Sequence, residues 1–214
     1  MPVKVWDLPV RICHWLFALI LPAMWWTAEN GEMGWHIRLG LLLLVVLVFR
    51  VLWGFAGSST ARFANFVRGP AKVIAHLRGN SDKTVLGHNP AGGWSVIAML
   101  LAMIAQVSFG LFAGDPYDGA TGPLNSMVRT MTADSLTDLH ETFFYVVLAL
   151  VVLHLLAIAW YVGLKRDNIV RPMITGSRVL PETTEGTGSA PAWRVIACLL
   201  PALALAWWIW SYGG

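Results

Sequence analysis

The chain has 214 residues, 57% of them hydrophobic and only 13% charged, with a net charge of +3. Soluble domains carry about 25% charged residues, so an ordinary water-soluble globule is excluded and a bilayer is the solvent these residues suit. The two cysteines, Cys13 and Cys198, lie in apolar stretches, which excludes a disulfide framework.

Crossing a bilayer takes about 20 apolar residues, and five segments reach that scale in an all-α reading of the chain. The first, residues 11–28, begins near Arg11 and lacks the pattern of a cleavable signal. The second, residues 35–54, is rich in Leu and Val. The third, residues 92–113, opens on Gly92, Gly93 and Trp94. The fourth, residues 138–164, is the longest and is closed by Lys165 and Arg166. The fifth, residues 192–212, ends in Trp207, Trp208 and Trp210. Twelve Trp in all suit a chain that meets the lipid–water boundary repeatedly. Pro22 and Pro201 lie inside spans, where they kink a helix without breaking it.

Lys and Arg set the orientation. The N-terminus has Lys4 and Arg11. Arg62, Arg68, Lys72, Arg78 and Lys83 lie between the second and third, and Lys165, Arg166, Arg171 and Arg178 follow the fourth. The opposite side holds Glu29, Glu32, Asp115, Asp118, Asp134 and Asp138, with Arg129 its one base. The N-terminus is therefore expected in the cytoplasm and the C-terminus in the periplasm. The same distribution accounts for the positive charge without nucleic acid. The connection over residues 55–91 interleaves Phe63, Phe66, Val67 and Ile74 with its bases. It reads equally as a segment lying along the headgroups or as a solvated loop. Residues 183–191 are rich in Gly, Thr and Ser and read as linker.

Ionisable residues inside spans are costly and mark function. Four histidines qualify: His14, His36, His140 and His154. Any one alone reads equally as a membrane histidine bonded to a neighbouring helix. Together they form a pattern. His140 and His154 are 14 residues apart, which at about 100° and 1.5 Å per residue puts them on one helix face, ~21 Å apart. Depths counted from the acidic side match His36 with His140, and His14 with His154. Counted from the basic side the match is poorer, unless the fourth span projects beyond its neighbours. Two histidines fall short of the four ligands a structural zinc takes. They suffice for a haem iron, whose porphyrin supplies the other four, and bis-histidine ligation leaves no open position for oxygen. No CxxCH is present for covalent attachment, so the group is a b-type haem.

Arg50 is 14 residues after His36 and reaches the depth of His14 and His154, where it suits a haem propionate. Arg38 lies near the other pair and reads equally as a propionate partner or as a side chain reaching the headgroups. Gly40 and Gly110 suit a porphyrin face or close helix packing alike. His76 and His88 read as surface histidines of the basic connection. The fifth span has no histidine and ligates nothing. It packs on the bundle, a second copy in a homodimer or a partner subunit, or serves as a lipid-facing anchor.

Six stretches carry a resemblance: VWDLPVRICHW (residues 5–15), GEMGWHIRLG (31–40), FVRGPAKV (66–73), GHNPAGGW (87–94), LHETFF (139–144) and RPMITG (171–176). In this order they resemble the bacterial cytochrome b561 family, in particular the cytochrome b subunit of nickel–iron hydrogenase. The resemblance implies a four-helix transmembrane bundle with two b haems on His14, His36, His140 and His154. It also implies electron transfer linked to a quinone, ubiquinone or menaquinone, in the bacterial inner membrane. The expected organisation is a di-haem domain over residues 1–176, a linker over 177–191 and an added helix over 192–214. The short first outer loop and the fifth span depart from the plainest family members. The donor is then a periplasmic c-type cytochrome or a hydrogenase-like subunit. The other readings are a superoxide oxidase that reduces ubiquinone and a non-redox transporter or membrane anchor.

Overall fold

A computed structural model describes residues 2–78, 86–114, 120–179 and 186–213. Five of its helices are long and apolar enough to cross a membrane: α1 (Leu8–Glu29), α2 (Met33–Ala56), α5 (Pro90–Phe112), α6 (Thr130–Ala159) and α8 (Trp193–Gly213). Three short helices lie between them: α3 (Phe63–Phe66), α4 (Pro70–Leu77) and α7 (Val170–Thr175). The chain is an all-α, multi-pass membrane protein. In lipid each backbone amide must be satisfied internally, so continuous helices are the form these apolar runs can take.

Local chemistry starts the helices where the sequence motifs sit. Asp7 caps α1 by accepting from Val10 N at 2.8 Å, with Pro9 in the first turn. Asn89 caps α5 in the same way, accepting from Gly92 N at 2.7 Å, and Pro90 follows it. Asp7 also accepts from Trp53 Nε1 at 2.9 Å, so the start of α1 is fastened to the end of α2.

α2 is the central helix, with α1, α5 and α8 packed along it. α6 packs along α5, whereas α1–α6 and α2–α6 are not among the well-packed helix pairs. The buried apolar core runs from Val5 and Trp6 through Leu43, Leu47 and Trp53 to Met103 and Val107. α8 adds Cys198 and Ala202 to this core, and its Ile209 packs with Leu41 and Leu124. The fifth span thus lies on α2, and Arg194 Nη1 donates to Ala56 O at 3.0 Å.

The structure adds to two expectations. The helix that carries the fourth span starts at Thr130, ahead of the apolar run expected from residue 138, and continues through a π-helical turn (Trp160–Leu164) for 35 residues in all. Its first turns are held from the side: Gly114 N donates to Thr137 Oγ1 at 2.9 Å. α6 therefore overhangs its neighbours at both ends. The stretch expected as linker also carries structure in its described parts. Ser177–Val179 forms a strand, β2, antiparallel to Pro2–Lys4, β1. Gly176 makes the turn before β2 in the left-handed region, at φ 84°. Thr187 N donates to Lys4 O at 2.8 Å, and Thr187 Oγ1 lies 3.0 Å from Thr60 Oγ1. These segments close the end of the bundle that carries the N-terminus. Of the acidic side, Asp115 and Asp118 lie outside the described residues.

Candidate haem-binding site

The four span histidines meet in two pairs at opposite ends of the bundle. His36 on α2 faces His140 on α6 with ring centres 6.1 Å apart and planes at 89°. His14 on α1 faces His154 on α6 with ring centres 6.2 Å apart and planes at 57°. Both gaps bridge the helix pairs that do not pack closely. An iron between two imidazoles, at metal–nitrogen bonds of about 2 Å and with each ring centre about 1 Å further on, sets ring centres about 6 Å apart. The spacing therefore fits a bis-imidazole iron at each end. Among the described residues no three His, Cys, Asp or Glu side chains converge as a metal cluster. The donor set is two imidazoles per site, which a porphyrin completes and a bare ion would not.

The pair at the far end is oriented by the backbone. His140 Nδ1–H donates to Gln106 O at 2.9 Å, and Gln106 Nε2 donates back to His140 O at 2.9 Å. His36 Nδ1–H donates to Met24 O at 3.0 Å. A carbonyl accepts only, so each bond fixes the tautomer and leaves Nε2 with its lone pair free for a metal. At the N-terminal end the arrangement differs. His14 Nδ1 is buried without a hydrogen-bond partner among the described residues.

The two arginines part company. Arg50 is 5% exposed, and its Nη1 is buried without a hydrogen-bond partner among the described residues. Its guanidinium stands 5.3 Å from the centre of the Phe63 ring. A buried cation is costly unless it is closely paired and hydrogen-bonded; among the described residues Arg50 makes no direct ion pair, so its free Nη1 suits a carboxylate brought by a ligand. Arg38 is exposed and lies over the Trp35 ring at 5.1 Å. Gly110 lies directly against His140: a Cβ there would stand 2.7 Å from the ring. Gly40 has looser surroundings, its nearest neighbour being Met24 Cε at 3.5 Å.

His76 and His88 are not simple surface histidines. His76 Nε2 lies 3.2 Å from Tyr161 Oη, to which Asn89 Nδ2 donates at 2.8 Å. His88 packs between Trp6 and Phe66 at ring-centre distances of 4.6 and 4.5 Å, with its Nδ1 buried. The aromatics that enclose His88 come from about 80 residues upstream and from the basic connection, which is why its own neighbours do not betray it. Gln106 carries a signal that a sequence reading can use, being a lone amide in an apolar span.

Spanning helices that present paired imidazoles across open helix contacts define a class, the membrane b-type cytochromes. Within it, the chain belongs to the prokaryotic cytochrome b561 family, whose sequence profile matches residues 5–176. The match covers the six sequence stretches and stops short of α8. Three curated relatives are each named "Probable Ni/Fe-hydrogenase B-type cytochrome subunit". That of Rhizobium leguminosarum bv. viciae is 26% identical, with 84% of this chain and 90% of the relative covered. That of Bradyrhizobium diazoefficiens is 24% identical, covering 82% and 85%. That of Rhodobacter capsulatus is 24% identical, covering 84% and 82%. No solved structure gives a significant match. The chain is accordingly a haem b protein of membrane electron transfer.

Proposed function

We propose that this chain carries electrons across the bacterial inner membrane through two b haems, from a periplasmic redox partner to a quinone, ubiquinone or menaquinone. One haem is held by His36 and His140 near the periplasmic face. The other is held by His14 and His154 near the cytoplasmic face, with Arg50 on its propionates. The observation that carries the reading is the double pairing of imidazoles, at 6.1 and 6.2 Å, between helices that are not closely packed on each other. The haems would sit about 21 Å apart along α6, and the width of two porphyrins shortens the gap between their edges.

The Lys and Arg residues at the N-terminal end support a cytoplasmic N-terminus. The names of the relatives support a hydrogenase-type donor, and a c-type cytochrome serves the same role chemically. Superoxide fits less well. It is an anion, and the far end presents Glu29, Glu32, Asp134, Asp138 and Glu141 against Arg38 and Arg129.

The test is the purified protein's haem count and visible spectrum, followed by reduction through a soluble donor with a short-chain quinone present. Two haems b per chain, reduced by the donor and reoxidised by the quinone, are expected. A protein with one haem or none would overturn the reading.

A further inference from the structure

Five buried polar side-chain atoms lack a hydrogen-bond partner among the described residues, and four of them lie toward the N-terminal end: His14 Nδ1, Arg50 Nη1, Ser58 Oγ and His88 Nδ1. Buried polar groups are ordinarily paired, so orphans gathered at one end indicate a shared ligand. Arg50 stands over Phe63, Phe63 packs on Phe66 at 5.8 Å, and Phe66 packs on His88 at 4.5 Å. The arginine and the imidazole thus share one aromatic floor. Ser58, 2% exposed, follows the end of α2. The end is closed over by Thr60, whose Oγ1 donates to Val5 O at 2.7 Å, and by Thr187.

Arg50 is the cation among the four, and a carboxylate would satisfy it while accepting from neutral N–H and O–H donors beside it. The nearby buried carboxylate, Asp7, is already bound by Val10 N and Trp53 Nε1. The one ion pair among the described residues is Arg178–Asp167, at another place. Burial, reinforced by the charge of Arg50, pushes the His88 imidazole down to about 3, so the ring is neutral and offers one N–H.

We propose that His88 joins Arg50 and Ser58 in a buried carboxylate-binding cluster that holds the propionates of the haem between His14 and His154. The inference rests on the proposed haem placement and adds a residue from outside every span. Propionates are carboxylates on flexible arms, the kind of group that a buried guanidinium with neutral N–H and O–H donors beside it would hold. Arg50 supplies charge, and His88 and Ser58 supply neutral donors.

The experiment is a redox titration of the two-haem protein with resonance Raman spectra of the propionate bending modes. His88→Phe keeps a ring between Trp6 and Phe66 but removes the donor. His88→Met, apolar and adaptable, serves if the Phe variant does not accumulate. Loss of the donor leaves the propionate charge less offset and favours the ferric haem. The oxidised-to-reduced ratio of one haem at fixed potential should rise about tenfold, a fall of about 59 mV for a one-electron couple. The propionate modes should move with it and the other haem should not. His88→Gln, which retains an N–H donor, should stay near the unmodified protein. Unchanged potentials and modes in the donor-free variants would overturn the inference while leaving the two-haem reading intact. So would a Gln variant that falls as far as the Phe variant. An unmodified protein without two haems would overturn both.

Discussion

Replacing Gly110 by Ala tests the geometry of one haem pair with a single methyl group. The new Cβ would stand 2.7 Å from His140 Cε1, 3.0 Å from Nδ1 and 3.4 Å from Nε2. Carbon atoms in contact prefer about 3.5–4.0 Å, so the ring must retreat by about 1 Å. The ring is not free to do so at no cost, because its Nδ1–H is bonded to Gln106 O at 2.9 Å. A retreat of that size stretches the bond past hydrogen-bonding range and forfeits about 1 kcal/mol. It also frees the imidazole orientation, and lost outer-shell support of a metal ligand typically costs about 10–100-fold in metal affinity. The helix itself gains about 1 kcal/mol from Gly to Ala, so a general loss of stability is not expected. The assay is transfer of haem from the purified protein to a high-affinity acceptor, with each haem followed by its own optical band. One haem should leave about 10–100-fold more readily in Gly110→Ala, and the other should behave as before. Gly34→Ala, where an added methyl group meets nothing within 4 Å, is the control. Equal retention of both haems in Gly110→Ala would show that the His140 ring does not stand against Gly110, and the fit at that end would fail.

Substitution of His36 or His140 by Ala should deplete one haem and spare the other, and His14 or His154 by Ala should do the converse. Potentiometric titration would show it, and depletion of the same haem in His36→Ala and His154→Ala would sink the pairing. Reduction by a basic soluble donor should slow as salt rises, because the acidic end steers it through exposed charge. Stopped-flow rates that stay flat or climb with ionic strength would reject steering. Truncation after Ser189 should retain two haems per chain, since no ligand lies downstream. It should also lower heat stability in detergent, because α2 loses the packing of Cys198, Ala202 and Ile209. A truncated, folded protein short of one haem would place α8 in the cofactor shell.

Much of the molecule is legible in the amino-acid sequence because its strongest signals are local. Hydropathy over about 20 residues marks a span whatever its neighbours are. The helical repeat puts His140 and His154 on one face of α6 without reference to any other helix. Charge in the connections reports the two sides in the same local way.

The remainder depended on tertiary contacts. Thr130–Asp138 is too polar to read as span, yet it is helical, and Gly114 N donates to Thr137 Oγ1 from outside the helix. The carbonyls that orient His36 and His140 belong to Met24 and Gln106, and a backbone oxygen has no residue signature. Spacing sets Arg50 apart from Arg38 in depth, but neither side chain's burial can be read from the sequence. Their difference is the packing around them: Arg38 lies exposed on Trp35, while α2's central place in the bundle buries Arg50 beside Phe63. His88 sits in a short polar stretch that reads as surface. Trp6 and Phe66, brought together only by the fold, enclose it. Span and helix face are properties of a segment, whereas burial and hydrogen-bond partner are properties of a neighbourhood assembled from distant parts of the chain.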